Sequence, residues 1–208
     1  MQNKQNQILQ LLQEGNARFA AGKLKSHDHL ARARETAEKG QHPMVTILSC
    51  SDSRVPPEIV FDQGIGDVFS VRIAGNVCQT SQLGAIEFGT KYLGTPLCVV
   101  LGHTKCGAVV AACTGAKLEE NIQSLVDSIC PAKDKTEAKA GKTGNEIVED
   151  CCEENIFMQI EDMLKKSAVL REMVHKGDLA IIGANYDLET GVVKFLGPHP
   201  KNDQLASG

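Results

Sequence analysis

Apolar residues fall along this chain in two rhythms. Ile8, Leu11, Leu12 and Phe19 recur at helical spacing in a polar stretch. The segment stays polar and helix-prone to about Lys39, which predicts a helical amino-terminal arm over residues 1–40 laid on another surface. Three short, largely β-branched apolar runs follow: Val45–Ser49, Val68–Ile73 and Leu97–Leu101. Runs of this kind are typical of strands buried on both faces of a parallel sheet. Helical patterns lie between and after them. Gln82–Leu93 places Ala85, Ile86, Gly89 and Tyr92 on one face, and Leu118, Ile122, Leu125, Val126 and Ile129 follow a second helical stripe. Ile156, Ile160, Met163, Leu164 and Val174 predict one further long helix. A fourth run, Leu179–Ala184, is followed by Glu189-Thr190-Gly191 and Val192–Leu196, which reads as a strand, a turn and an antiparallel return. Strands alternating with helices make this an α/β chain with a mainly parallel sheet. Residues 131–145 carry no large apolar side chain and are expected to form a mobile, solvated loop; the tail over 198–208 is expected to fray.

Composition narrows the picture further. At 208 residues the chain is read as one domain, residues 1–208, and a hydrophobic fraction of 42% against 23% charged supplies an ordinary globular core. The net charge of −4, without clustered Lys or Arg, argues against nucleic acid as a partner. Six Phe, two Tyr and no Trp argue against a base- or sugar-stacking platform. Eight cysteines are too sparse for a disulfide scaffold of this length and predict reduced thiols, some of them serving a metal. No run approaches the ~18 apolar residues of a membrane span, and MQNKQNQ lacks the layout of an export signal. The expectation is therefore a protein with no membrane partner, cytoplasmic by default, or periplasmic if a signal was removed.

Two short constellations carry chemistry. Cys50-Ser51-Asp52-Ser53-Arg54 follows the first apolar run, and in extended backbone residues 50, 52 and 54 face one side. His103-Thr104-Lys105-Cys106 follows the third run, ahead of Gly107 and a helix start. Ligands of open parallel sheets bind at the carboxyl ends of strands. Two thiolates and an imidazole from neighbouring strand ends suit a tetrahedral Zn2+ and leave a fourth position for water or substrate. Asp52, held ionised by Arg54, is placed to accept a hydrogen bond there. Taken singly, a buried Cys is a small core residue, a His is structural and an Asp–Arg pair two residues apart is a loop brace; their joint placement favours a site. Cys78, Cys98, Cys113, Cys130, Cys151 and Cys152 lack a His at ligand spacing and are read as packing, and the remaining histidines, including His27, His29 and His199, as surface residues.

CSDSR, VRIAGN and EFGTKYLGTPLCVVLGHTKCGAV, together with LLQEGNARFAAGK and ANYDLETGVVKFL, resemble the β-class carbonic anhydrases over about Leu9 to Leu196. The resemblance implies one Zn2+ per subunit on Cys50, His103 and Cys106, with Asp52 and Arg54 as the dyad that orients a zinc-bound hydroxide. It implies reversible hydration of carbon dioxide to bicarbonate and a proton. It further implies four parallel strands plus an antiparallel edge strand with helices on both faces, assembled as a homodimer or homotetramer with the site at the interface. Gln41 would reach substrate across that interface, Phe69, Ala74 and Phe88 would form an apolar wall, and backbone amides around Gly107 would hold an oxyanion. Two positions depart from the common pattern. Ala108 stands where many members have a second Gly, and Ile47 stands where the bicarbonate-inhibited branch has a Trp, which implies the branch without that regulation. The alternatives are a carbon disulfide or carbonyl sulfide hydrolase on the same fold, and a non-catalytic zinc–thiolate redox sensor.

Overall fold

In the computed structural model, which describes residues 2–207, five strands form one sheet in the order β2-β1-β3-β4-β5. The strands are β1 (Val45–Ser49), β2 (Val68–Arg72), β3 (Leu97–His103), β4 (Ala180–Tyr186) and β5 (Val193–Gly197). The first four run parallel, and β5 returns antiparallel on β4. All of β1 and β3 is buried, which is why their sequences are continuous apolar runs rather than alternating ones. Successive residues still face opposite ways. Ile47, Val99 and Leu101 join the cluster under α1 (Gln2–Ala20), while Leu48, Cys98 and Val100 join the one under α8 (Val148–Lys166). Helix α8 lies so close to the sheet that a Cβ on Gly102 or Gly183 would come within 2.7 Å of Ile156.

The chain runs from β1 outward to β2 through α3 (Pro57–Val60), then returns through α4 (Thr80–Glu87) and a π-turn (Phe88–Tyr92) to place β3 on the other side of β1. That reversal of direction makes the carboxyl ends of β1 and β3 the switch point of the sheet, the crevice position at which such sheets bind their ligands. Helices α5 (Gly107–Thr114), α6 (Glu120–Asp127) and α7 (Cys130–Ala140) pack with α8 around a third apolar cluster beside that crevice. Among the described residues no helix is long and apolar enough to cross a membrane.

Several expectations change. Residues 131–145 are not a loop: Cys130–Ala140 is helical, with Pro131 in its first turn and Gly141 closing it at φ 64°. Its Ala, Lys and Glu are strong helix formers, and Ala132 and Thr136 suffice to seat it on α8 without large side chains. The tail is not frayed through Ser207, since α10 (Asn202–Ser207) packs Leu205 on the α8 side and His199 is buried rather than on the surface. The arm divides. Helix α1 lies on its own sheet through Ile8 and Leu12, whereas α2 (His29–Lys39) has no buried residue. The single long helix breaks at Ser167, whose side chain accepts from Leu170 N and starts α9 (Ala168–His175). Tyr92, placed on a packing face by periodicity, is 79% exposed because the π-turn rotates it outward.

Candidate metal centre

Strand β1 ends at Ser49 and hands Cys50 to the crevice; β3 ends on His103 itself. The turn between His103 and α5 is tight, with Lys105 in the left-handed region at φ 55°, and it brings Cys106 back as the residue before the first turn of α5. One donor atom from each of Cys50, His103 and Cys106 lies within 4.8 Å of the other two, and all three residues are buried. His103 Nδ1–H donates to the Thr104 carbonyl at 2.8 Å, which fixes the tautomer and leaves Nε2 as the free lone pair. That Nε2 is buried and has no hydrogen-bond partner. A buried, unpaired ring nitrogen close to two sulfurs is costly unless something electrophilic sits there. The donor set fits Zn2+: two soft thiolates and one imidazole, with room for a fourth ligand.

The other two expected residues converge on the same place. Arg54 grips Asp52 with two parallel bonds, Nε to Oδ1 at 2.9 Å and Nη2 to Oδ2 at 2.7 Å, and Arg54 N adds a third to Oδ1 at 2.9 Å. Oδ2 then stands 4.0 Å from His103 Nε2. These bonds hold the Asp52 carboxyl well below the usual carboxylate range, and the same bonds raise Arg54. Cys50 is pulled below an ordinary thiol, first by the Cys106 thiol bonded to it and then by His103 and the Asp52 and Gly75 amides, which together outweigh burial. Cys106, bonded to that anion and buried, moves the opposite way. Burial alone would lower His103, yet the nearby Cys50 sulfur, the Thr104 carbonyl contact and the Asp52 charge raise it.

Sequence reading missed the side chain that braces the Cys50–Asp52 loop. Arg72, the last residue of β2, donates to the Cys50 carbonyl at 3.2 Å and to the Asp52 carbonyl at 2.8 Å. Its register opposite Ser49 puts it there, a relation visible only once the strands pair. The expected substrate contacts divide. Gly107 is exposed at the start of α5 beside Cys106, and Ala74 begins the turn that touches Cys50 through Gly75. Gln41, Phe69 and Phe88 lie elsewhere in this chain. Phe69 pairs with Thr46, four residues short of Cys50 and so ~13 Å back along the strand. Phe88 is 47% exposed and packs with Phe69 at 6.1 Å between ring centroids. Gln41 is exposed ahead of β1, beside a hollow lined by Thr36, Ile65 and Val68.

Soft metal donors at the switch point of a parallel α/β sheet mark a metalloenzyme architecture, and comparison with known proteins narrows the class. Residues 45–193 match the carbonic anhydrase family profile. Carbonic anhydrase 2 of Mycobacterium tuberculosis is 35% identical over 184 residues, covering 86% of this chain and 87% of the relative. The crystal structure of the β-carbonic anhydrase CafA of Aspergillus fumigatus is similar at a TM-score of 0.71 and 28% identity, covering 86% of this chain and 95% of that one. Tetrameric β-carbonic anhydrases of Sordaria macrospora share the fold at a TM-score of 0.70 and 23% identity, covering 81% and 92%. The chain belongs to the β-class carbonic anhydrases, metalloenzymes that hydrate carbon dioxide reversibly, and its activity is that of a carbonate dehydratase.

Proposed function

We propose that Cys50, His103 and Cys106 hold one Zn2+ and that Asp52 and Arg54 act on the reacting oxygen beside it. The observation that carries this reading is the buried, partnerless Nε2 of His103, on a residue clustered with the sulfurs of Cys50 and Cys106 and 4.0 Å from Asp52 Oδ2. Bound zinc would lower the pKa of water and so supply hydroxide near neutral pH. Two thiolates offset much of the cation's charge, so the protein's own groups must direct that nucleophile. Asp52, kept ionised by Arg54, accepts one hydrogen bond and turns the attacking lone pair toward carbon dioxide. The Cys50 and Cys106 thiols must both be ionised to bind, and the amides donated to Cys50 Sγ by Asp52 at 3.4 Å and Gly75 at 3.3 Å favour that state. Backbone N–H groups at the start of α5, around Gly107, suit the developing negative charge of bicarbonate.

The apolar wall comes from a second copy. Strand β2 is an open edge of the sheet, and Phe69, Phe88 and Tyr92 form a half-exposed stack beside it, with 5.8 Å between the Phe88 and Tyr92 ring centroids. An open edge flanked by aromatic surface is a pairing surface. Assembly through it as a homodimer, or a homotetramer as in the Sordaria proteins, would carry one copy's Gln41, Phe69 and Phe88 toward the crevice of the other. The test is stopped-flow carbon dioxide hydration on protein of measured zinc content and measured mass in solution. Turnover that scales with zinc and falls in Asp52→Asn without loss of metal supports the reading. Zinc-loaded protein without turnover, or full turnover in Asp52→Asn, overturns it.

A further inference from the structure

The face that α8 turns to the sheet is apolar except at two positions, Asn155 and Gln159, which are 0% and 2% exposed. Two buried carboxamides one turn apart cost free energy unless their bonds are made. Apart from a longer bond from Gln159 Nε2 to the Ser128 carbonyl at 3.4 Å, they are spent on a single turn of the chain and on each other. Asn155 Nδ2 donates to the Gly75 carbonyl at 2.9 Å, and Gln159 Oε1 accepts from the Cys78 amide at 2.7 Å. Gln159 Nε2 also donates to Asn155 Oδ1 at 3.0 Å, so the two amides orient each other. The turn they grip is an unfavourable one. Gly75 and Asn76 are consecutive residues in the left-handed region, at φ 69° and 44°, and a Cβ on Gly75 would come within 2.7 Å of Ile129. Its consequence for the metal centre is direct, because this backbone points the Gly75 N–H at Cys50 Sγ, 3.3 Å away.

We propose that Asn155 and Gln159 are positioning residues for the metal centre, an amide clamp that holds the Gly75–Cys78 turn so that its N–H is donated to the Cys50 sulfur. An N–H donated to a ligating thiolate draws electron density from the sulfur, leaving a bound cation more electrophilic and the ligand better oriented. The clamp acts through the backbone and touches neither metal nor substrate. This inference rests on the zinc reading above and sharpens it, since it explains why an otherwise apolar helix face keeps two amides.

The test uses the full-length protein with its zinc exchanged for cobalt(II), whose sulfur-to-cobalt charge-transfer band reports on the thiolates, together with the rate of zinc release to a chelator. Asn155→Leu removes the clamp at close to constant shape, and Gln159→Met loosens it more mildly; Ile160→Val weakens packing on the same helix face without touching the turn. In folded Asn155→Leu, zinc release is expected to speed up about tenfold or more and the band to move to longer wavelength. Gln159→Met should follow in the same direction, and Ile160→Val should leave both unchanged. The clamp is overturned if Asn155→Leu and Gln159→Met fold and keep the parent band and release rate, or if Ile160→Val changes them equally. A parent protein without any sulfur-to-cobalt band overturns the metal centre itself, and the clamp with it.

Discussion

The apolar cluster beside the crevice holds two groups of cysteines that differ in neighbours, not in burial. Cys50 and Cys106 share it with Cys113, Cys151 and Cys152, and all five are buried. Burial pushes the Cys152 thiol up to about 12, and it raises Cys113 and Cys151 as well. Those thiols remain protonated hydrophobes. Cys50 sits in the same cluster and goes the other way, because a thiol, an imidazole and two backbone amides stabilise its anion. Cys50 is prepared for the ligand role proposed above by the donors that a strand end and a turn aim at it, and Cys106 is raised beside that anion, while sulfur on the helix faces stays packing.

The most direct way to break this contrast is to remove one sulfur from each group. Cys50→Ala should lose its metal and lower turnover by about 10³-fold or more, near 4 kcal/mol of transition-state stabilisation. Cys113→Ala should keep full zinc and turnover within about threefold, as expected of a packing position. Zinc analysis with stopped-flow hydration decides, and metal loss in Cys113→Ala would erase the distinction.

The same contrast runs through the aspartates. Asp52→Asn should retain zinc and lose roughly 10²- to 10³-fold in turnover, the range expected for a group that directs a proton or nucleophile. Asp62 is also held by an arginine, but it is buried and ties Arg18, His27 and the Lys25 amide to the body of the protein. Asp62→Asn should leave turnover intact and cost about 2 kcal/mol of stability. The pH dependence has a definite sign. Burial pushes the Asp62 carboxyl up, but bonds from Arg18, His27 and Lys25 prevail and leave it below 3.8. Its contribution is therefore full above pH 3.8 and lost as pH falls through the depressed native value. Urea titrations of parent and Asp62→Asn should differ at neutral pH and converge in acid.

Within the inert group the effects shrink to packing. Cys151 is fully buried against Cys113, so Cys151→Ala should cost about 1 to 2 kcal/mol in urea denaturation and leave zinc in place.

How much of this was legible in the sequence follows from the range over which each feature is determined. The five strands and the convergence of Cys50, His103 and Cys106 were legible because each depends on a local run: CSDSR and HTKC stand beside the apolar segments that deliver them. Helix α7 was not, because its sequence lacks the apolar stripe that periodicity reads; small residues and good propensity seat it instead. Arg72, Asn155 and Gln159 were illegible for another reason. Their meaning lies in a register across strands and in bonds spanning 20 to 81 residues, which no local pattern encodes. Gln41, Phe69 and Phe88 were placed at the site by resemblance alone, and in this chain they lie apart from Cys50, His103 and Cys106.

The mildest test leaves the chain unaltered and asks which thiol answers first. Cys130 is the one cysteine that is not fully buried; its Sγ lies 3.6 Å from the Val126 carbonyl at the start of α7. Burial raises its thiol, so alkylation at pH 8 should be slow but should occur there before any other site. Turnover should be unaffected, because Cys130 packs on the helical layer and touches none of the groups around Cys50. Peptide mapping after brief iodoacetamide treatment reads this directly. Removing the metal with a chelator should then expose the contrast between the two groups: Cys50, stabilised as an anion, becomes the next thiol to react, while Cys113 and Cys151 stay protected. Labelling of Cys151 ahead of Cys50 in the metal-free protein would mean that access, rather than the donors around each sulfur, separates the two groups.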